Sequence, residues 1–300
     1  MTSADYAEAR RPRLRRRFTV LLPVLRPPHM LPYAMKSVLA QSDPDLELCV
    51  ICDGAPDATV EVASTFAKAD PRVHVFAFPK GERHGELHRA AVLEGATSDF
   101  VAHIGDDDLW LPNHLSVLAG LLAKADFVSV PGFTMQPSGE LQAGIFGDLR
   151  WARYRRKMLK RRWNFFGPTE AAYRLDAYRR LPVGWSPGPE DLWSDLHMWR
   201  KFLREPGMRF SSGYDLSTLK FAAPDWVGKT LDERRDANQA LWEALQDASQ
   251  ITKLRTSARV LFARSIKLGR LPGLILSDPL RYLPMLWLRL SSRKSEARQH

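Results

Sequence analysis

The chain has 300 residues, 45% of them hydrophobic and 26% charged, a balance that excludes a disordered polymer and allows one large α/β domain with an appendage. The net charge of +10 is uneven: residues 1–17 hold six arginines against Asp5 and Glu8, and Arg255 to His300 holds ten Lys/Arg against Asp278 and Glu296. The 28 basic and 30 acidic residues between them leave the body nearly neutral, so any anionic partner is a matter for the ends of the chain.

The first half alternates short apolar runs with helical patterns. Phe18–Val24 reads as a strand that ends before Arg26-Pro27-Pro28, and residues 30–41 place apolar side chains at helical spacing. Leu46–Cys52 is a second strand, and Asp53-Gly54-Ala55-Pro56-Asp57 turns into a helix over 57–69. Val73–Phe78 is a third strand, followed by a loop through Gly81 and a helix over 85–96. Phe100–Ile104 is a fourth and runs straight into Gly105 and three aspartates; Pro112 opens another helix, and Asp126–Val130 is a fifth strand. This alternation predicts βαβ units in a mostly parallel sheet. Ligands of such sheets bind beyond the carboxyl ends of the strands, where Asp53-Gly54 and Asp106–Asp108 both fall. No GxGxxG spacing accompanies them, which excludes a dinucleotide fingerprint.

The second half is less regular. Arg150–Arg162 predicts a helix with eight basic residues, 191–203 another, and 230–268 long helices. No run reaches the ~20 apolar residues of a spanning helix; Leu271 to Leu290 is broken by Asp278, Arg281, Arg289 and three prolines. No secretory signal is read at the N-terminus. The expectation is a cytoplasmic protein, peripheral on the inner face of a membrane if its basic C-terminal tail meets anionic lipid. Leu280–Leu290, apolar with a tryptophan and flanking arginines, suits either an interfacial anchor or packing on the body. Arg150–Arg162 reads first as a solvated face, ahead of nucleic acid or lipid phosphates. Cys49 and Cys52 sit within one apolar strand and read as structural.

Three consecutive aspartates after a buried strand raise one another's pKa unless a cation relieves them. A hard ion, Mn²⁺ or Mg²⁺, does so with oxygen ligands completed by substrate phosphates. Asp108 could instead cap a helix at Leu109-Trp110.

The string Phe100–Pro112, FVAHIGDDDLWLP, resembles the metal-binding segment of family-2 inverting glycosyltransferases of the GT-A fold. FTVLLPV resembles the family's first strand, with Val24-Leu25-Arg26 in place of Thr-Tyr-Asn. SVLAQSDPDLELCVICDGAPDATVEVA resembles its nucleotide-binding segment, with Cys52 replacing the first acid of Asp-Asp-Gly. Gly81 and Arg89 fall where the family carries a glycine loop and an arginine. The resemblance spans residues 18–225 and implies a Rossmann-like GT-A sheet with flanking helices, preceded by a basic tail (1–17) and followed by a helical basic extension (226–300). It implies a nucleoside-diphosphate sugar donor, UDP-linked among the candidates, and a hydroxyl acceptor. Pro23, Asp53, Gly54, Arg89 and Asp106 would face the nucleotide sugar, Asp107 would lead a metal site shared with Asp106 and Asp108, and Lys220 would contact the diphosphate where relatives place a histidine.

An inverting transfer needs a general base on the face opposite the leaving diphosphate. Asp195, in Asp195-Leu196-His197-Met198-Trp199, fits the family's spacing; Glu190 and Asp191 are rivals. His84, His88 and His103 cluster in sequence near the proposed site but read first as structural or solvated, and Trp110 and Trp185 could stack on a sugar or belong to the core. Two other readings are a nucleotidyltransferase and a degenerate relative that binds a membrane or nucleic acid through its basic segments.

Overall fold

The computed structural model describes residues 3–266, 275–276 and 279–296. Strands β1 (Phe18–Val24), β2 (Leu46–Asp53), β3 (Val73–Phe78) and β4 (Phe100–His103) form a contiguous parallel block of a seven-stranded sheet. Their near-continuous apolar runs suit strands covered on both faces: every residue of β2 is buried. The sheet continues through β6 (Phe127–Ser129), β9 (Ala171–Arg174) and β10 (Phe210–Ser212) in the order β10-β6-β9-β4-β1-β2-β3. Strand β9 runs antiparallel to both its neighbours, β4 and β6.

Helices α2 (Leu31–Leu39), α3 (Asp57–Ala69), α4 (Glu86–Glu94) and α5 (His114–Leu122) make the crossovers. In α2 the buried residues Leu31, Ala34, Met35 and Val38 recur at i, i+3, i+4, i+7 and face the sheet. The sheet's pleat sends Cys49 and Cys52 into different cores, one on each face, so the pair is structural as expected. Pro23 is tolerated because β4 ends opposite Leu21, so its missing N–H faces no strand there.

The short strands β5 (Leu109–Trp110) and β11 (Thr218–Leu219) pair antiparallel, as do β7 (Phe133–Met135) and β8 (Leu141–Ala143). Asp108 therefore precedes a strand and caps no helix, contrary to that sequence reading; the helix begins at His114. Trp110, offered as a sugar-stacking ring, is buried core against His114. Helices α6 (Ala152–Lys160), α7 (Leu175–Arg179) and α8 (Ser194–Arg204) flank this half.

The C-terminal helices α9 (Leu231–Ala244), α10 (Ala248–Ser265) and α11 (Pro279–Glu296) share a third core with β5, β7 and β11. Helix α9 opens on a capping box between Thr230 and Glu233. Residues 271–274 and 277–278 of the longest apolar stretch lie outside the described residues; among those described, no helix is long and apolar enough to cross a membrane.

At the other end, α1 (Ser3–Ala9) lies on the body with Ala9 buried. Each of the six arginines that follow pairs with an acid: Arg10 with Glu94, Arg11 with Glu8, Arg13 with Glu47, Arg15 with Asp99, Arg16 with Asp45 and Arg17 with Asp43. This basic run is spent on the protein itself.

Candidate active site

The carboxyl ends of β1, β2, β3 and β4 share one edge, so Pro23, Asp53, Lys80 and Asp106–Asp108 gather there. Asp53 is closely wrapped. Its Oδ1 accepts from the Gly81 N–H at 2.6 Å, its Oδ2 from Lys80 Nζ at 2.9 Å, and His88 Nε2 lies 3.2 Å away. Two glycines permit this closeness: a Cβ on Gly85 (φ +68°) would sit 2.8 Å from the Asp53 carboxylate, and one on Gly54 (φ +67°) 2.7 Å from Lys80 Cβ. Tyr6 on α1 hydrogen-bonds His88 Nδ1 at 2.9 Å, so the N-terminal helix braces the same corner.

The acidic triplet is answered by arginine. Arg26, in the loop after β1, holds Asp106 Oδ2 at 3.0 Å and Asp107 Oδ2 at 2.9 Å; Arg234 on α9 reaches Asp107 Oδ2 at 2.7 Å. Asn238, one turn further along α9, donates to the Asp107 carbonyl at 3.1 Å. Asp108 points elsewhere, accepting from the Thr169 hydroxyl and from the Phe221 N–H at 3.2 Å. Burial, with the charge of Asp107 beside them, pushes Asp106 and Asp108 each up to about 7.

Next to the triplet lies a cavity of ≈ 420 Å³ lined by Pro23, Arg89, His103, Asp108, Thr169, Trp185, Asp195 and Lys220, among others. It joins what the sequence separates by over a hundred residues. Asp195, in the first turn of α8, is half-buried; its Oδ1 accepts from the Leu196 N–H at 2.7 Å and its Oδ2 from Asn164 Nδ2 at 3.0 Å. Burial raises its carboxyl above the ordinary value, and the Leu196 N–H, Lys220 and Asn164 offset part of that. Glu190 and Asp191 are exposed and do not line the cavity.

Lys220, just after β11, has its Nζ 3.6 Å from Glu170 Oε1. The charge of Glu170 raises its pKa most, against burial, with Asp108 and Asp195 adding to it. It is therefore a fixed cation between the triplet and Asp195. Arg89 stacks over Trp185 at 4.9 Å with its Nη1 buried and unbonded, and burial lowers its pKa. Beside it, burial drives His103 down to about 3, so it is neutral.

A hard divalent ion fits these residues in one way. Asp108 has both oxygens committed inward, so the three-carboxylate holder expected from sequence is not assembled, and no cluster of three metal-ligating side chains forms among the described residues. The contacts of Asp106 and Asp107 with Arg26 and Arg234 run through Oδ2, and such ions need only one or two carboxylates when diphosphate oxygens complete the shell.

The family 2 glycosyl transferase model matches residues 19–181, more than half of the chain and all of the site just described except Tyr6, Trp185, Asp195, Leu196, Lys220, Phe221 and α9. The chain belongs to glycosyl transferase family 2. Among curated family relatives it is 33% identical over 101 residues to the succinoglycan biosynthesis protein ExoW of Rhizobium meliloti, a match covering 33% of this chain and 32% of that one. The chain thus spans about a third of the length of the curated relatives it matches. Its fold is that of Staphylococcus aureus TarS 1–349, solved with UDP-GlcNAc (TM-score 0.55, 14% identity, 84% of this chain and 82% of that one). It also matches the mannosyltransferase PcManGT of Pyrobaculum calidifontis, solved with GDP-Man and Mn²⁺ (TM-score 0.51, 18% identity, 97% and 86%).

For this family-2 chain, sequence reasoning named Asp195, Lys220, Arg89 and Trp185 as candidates, and the structure brings all four to one cavity, together with His103, which read first as structural or solvated. It missed Asn164, Thr169, Glu170 and Arg234. The first three lie where no strand or helix pattern gave a register, and Arg234 on a predicted helix, but only the fold reveals that they meet the acids. Arg26 was visible as a departure from the family's first loop, but its pairing with Asp106 and Asp107 was not foreseen.

Proposed function

We propose that this chain transfers a glycosyl group from a nucleoside-diphosphate sugar to an acceptor hydroxyl, with inversion at the anomeric carbon and Asp195 as general base. One observation carries the reading. A half-buried carboxyl of raised pKa faces the same cavity as an acidic, arginine-buffered sheet edge, with a fixed ammonium between them.

The nucleotide would lie along the ends of β1, β2 and β3, where Pro23 and the braced Asp53 corner present a rigid surface. The sugar would fill the cavity against Trp185, with Arg89 and the neutral His103 offering hydrogen bonds to its substituents. A Mn²⁺ or Mg²⁺ ion held by Asp107 with Asp106 would offset charge on the departing diphosphate. Lys220 approaches the same region as a point charge and stabilises the leaving oxygen directly. Across the cavity Asp195 accepts the acceptor proton as the new bond forms. Asn164 and the Leu196 N–H fix its two oxygens, so little reorganisation is needed. The ligands of TarS and PcManGT, UDP-GlcNAc and GDP-Man, support a nucleotide sugar as the donor class.

The test is calorimetric binding of UDP, GDP and their sugars with Mn²⁺ and with chelator, followed by donor turnover. Tight metal-assisted binding of one nucleoside diphosphate, and release of sugar from its donor, is expected. No response to any nucleoside diphosphate at millimolar concentration would overturn the reading.

A further inference from the structure

Helix α11 presents two apolar stripes, and the body covers only one. On the inner side Tyr282 is fully buried; its hydroxyl donates to Asp148 Oδ2 at 3.0 Å and lies 2.9 Å from the Tyr214 hydroxyl. One and two turns on, Met285 and Leu286 pack on the third core, and Arg289 donates to the carbonyls of Ala263 and Arg264 at 2.9 and 2.8 Å near the end of α10. Positions 282, 285, 286 and 289 share one helix face at 100° per residue. The opposite face holds Leu280, Leu283, Trp287 and Leu290, which are 91%, 50%, 68% and 50% exposed. Their spacing of three, four and three residues makes a continuous row, and Leu276, 84% exposed, precedes it.

A row of large apolar side chains on a helix fixed by its other face needs a covering surface. Charge decides which. By sequence the helix is basic, with Arg281, Arg293 and Lys294 against Glu296, while Arg289 is engaged by carbonyls at the end of α10. A second copy laid along the row would bring like charges together, and an acidic protein would meet leucine and tryptophan before it met charge. A bilayer with anionic headgroups satisfies both chemistries at one depth.

A second observation lies beside the first. Asp148 and Arg150, which share the Tyr214–Tyr282 hydrogen-bond network, stand directly before α6. That helix is basic throughout, with Arg156, Lys160 and the following Arg161 exposed. The network thus ties the apolar row and the basic helix to one corner of the molecule. The N-terminal arginines, each paired with an acid, offer no comparable surface.

We propose that α11 docks the protein on an anionic lipid bilayer, with Leu280, Leu283, Trp287 and Leu290 inserted at the headgroup–acyl boundary and the basic residues of α6 facing headgroup phosphates. The helix lies on the membrane and does not span it. This inference is independent of the transfer chemistry.

The test is flotation of the full-length protein with phosphatidylglycerol–phosphatidylcholine vesicles and with pure phosphatidylcholine vesicles, at low and high salt. The wild-type chain should float with the anionic vesicles, and the Leu280→Ser/Trp287→Ser variant should lose at least about tenfold in partitioning while keeping its melting temperature. An Arg156→Glu/Lys160→Glu variant, which leaves the apolar row intact, should lose about as much on anionic vesicles. No flotation of the wild type, or equal flotation of wild type and both variants, overturns the proposal. Sedimentation velocity supplies the third outcome: a dimer that Leu280→Ser/Trp287→Ser dissolves, without vesicle binding, assigns the row to self-association and also overturns it.

Discussion

The two walls of the cavity hold acidic residues in opposite ways. On the nucleotide side, Asp53 is wrapped by a backbone N–H, a lysine and a histidine, and Asp106 and Asp107 are clamped by Arg26 and Arg234. On the far side Asp195 has only a neutral amide and one N–H as direct partners, and burial raises its pKa. Carboxylates clamped by cations are held in position. A carboxylate held by neutral donors keeps its affinity for a proton, as a general base requires. The contrast separates binding from chemistry.

The largest expected effect comes from removing the base. Asp195→Asn keeps the shape and the neighbours but cannot take a proton, so turnover should fall by roughly 10²–10⁴-fold. Donor affinity measured by calorimetry should stay within about twofold, because the nucleotide wall is untouched. Asp191→Asn, on an exposed side chain outside the cavity, should leave kcat unchanged. If Asp191→Asn kills turnover and Asp195→Asn does not, the two walls have been misassigned.

Lys220 links the walls, so its replacement sharpens the comparison. Lys220→Met removes a cation that lowers the pKa of Asp195 and that, in the proposed reaction, would offset charge on the leaving diphosphate. We expect kcat/KM to drop about 10- to 100-fold, since one electrostatic donor is lost. The sign of the pH effect is fixed. As the proposed base Asp195 would work as a carboxylate, and its pKa is already raised, so activity should fall as pH drops through that value; without Lys220 the acid limb of kcat/KM should move to higher pH. A limb that stays put would mean that Lys220 acts on the diphosphate alone.

How much of this was legible in sequence follows the same division. The nucleotide wall is built at the ends of β1 to β4, whose uninterrupted apolar runs announced themselves, so Asp53 and Asp106–Asp108 could be placed at one edge before any coordinates. The far wall is built on β9, β11 and the start of α8. Strand β9 is the four residues Ala171–Arg174 and β11 only Thr218–Leu219; neither is long enough to show a period. Asp195 was legible through its spacing to Met198-Trp199, but Asn164, Thr169 and Glu170 were not, because nothing local records a contact across thirty or sixty residues. The triplet shows the same limit: consecutive in sequence, Asp106 and Asp107 share Arg26 while Asp108 turns inward to Thr169.

The smallest effect tests the finest part of the contrast, that Asp195 is tuned by a neutral amide. Asn164 Nδ2 bonds the ionised carboxylate, while its Oδ1 accepts from the Phe165 N–H at 2.9 Å and orders the turn. Asn164→Ala removes the bond that favours the charged form. A hydrogen bond to a charged group contributes about 1.5–3 kcal/mol, part of which water recovers at a half-buried site, so the acid limb should rise by about one pH unit or less. Activity at neutral pH then falls a few-fold and returns as pH increases. That recovery distinguishes tuning from structure: a loosened turn would lower activity at every pH and leave the limb in place. Recovery at high pH would show that the second wall works by leaving its carboxylate under-compensated, and a flat loss would reduce Asn164 to scaffolding.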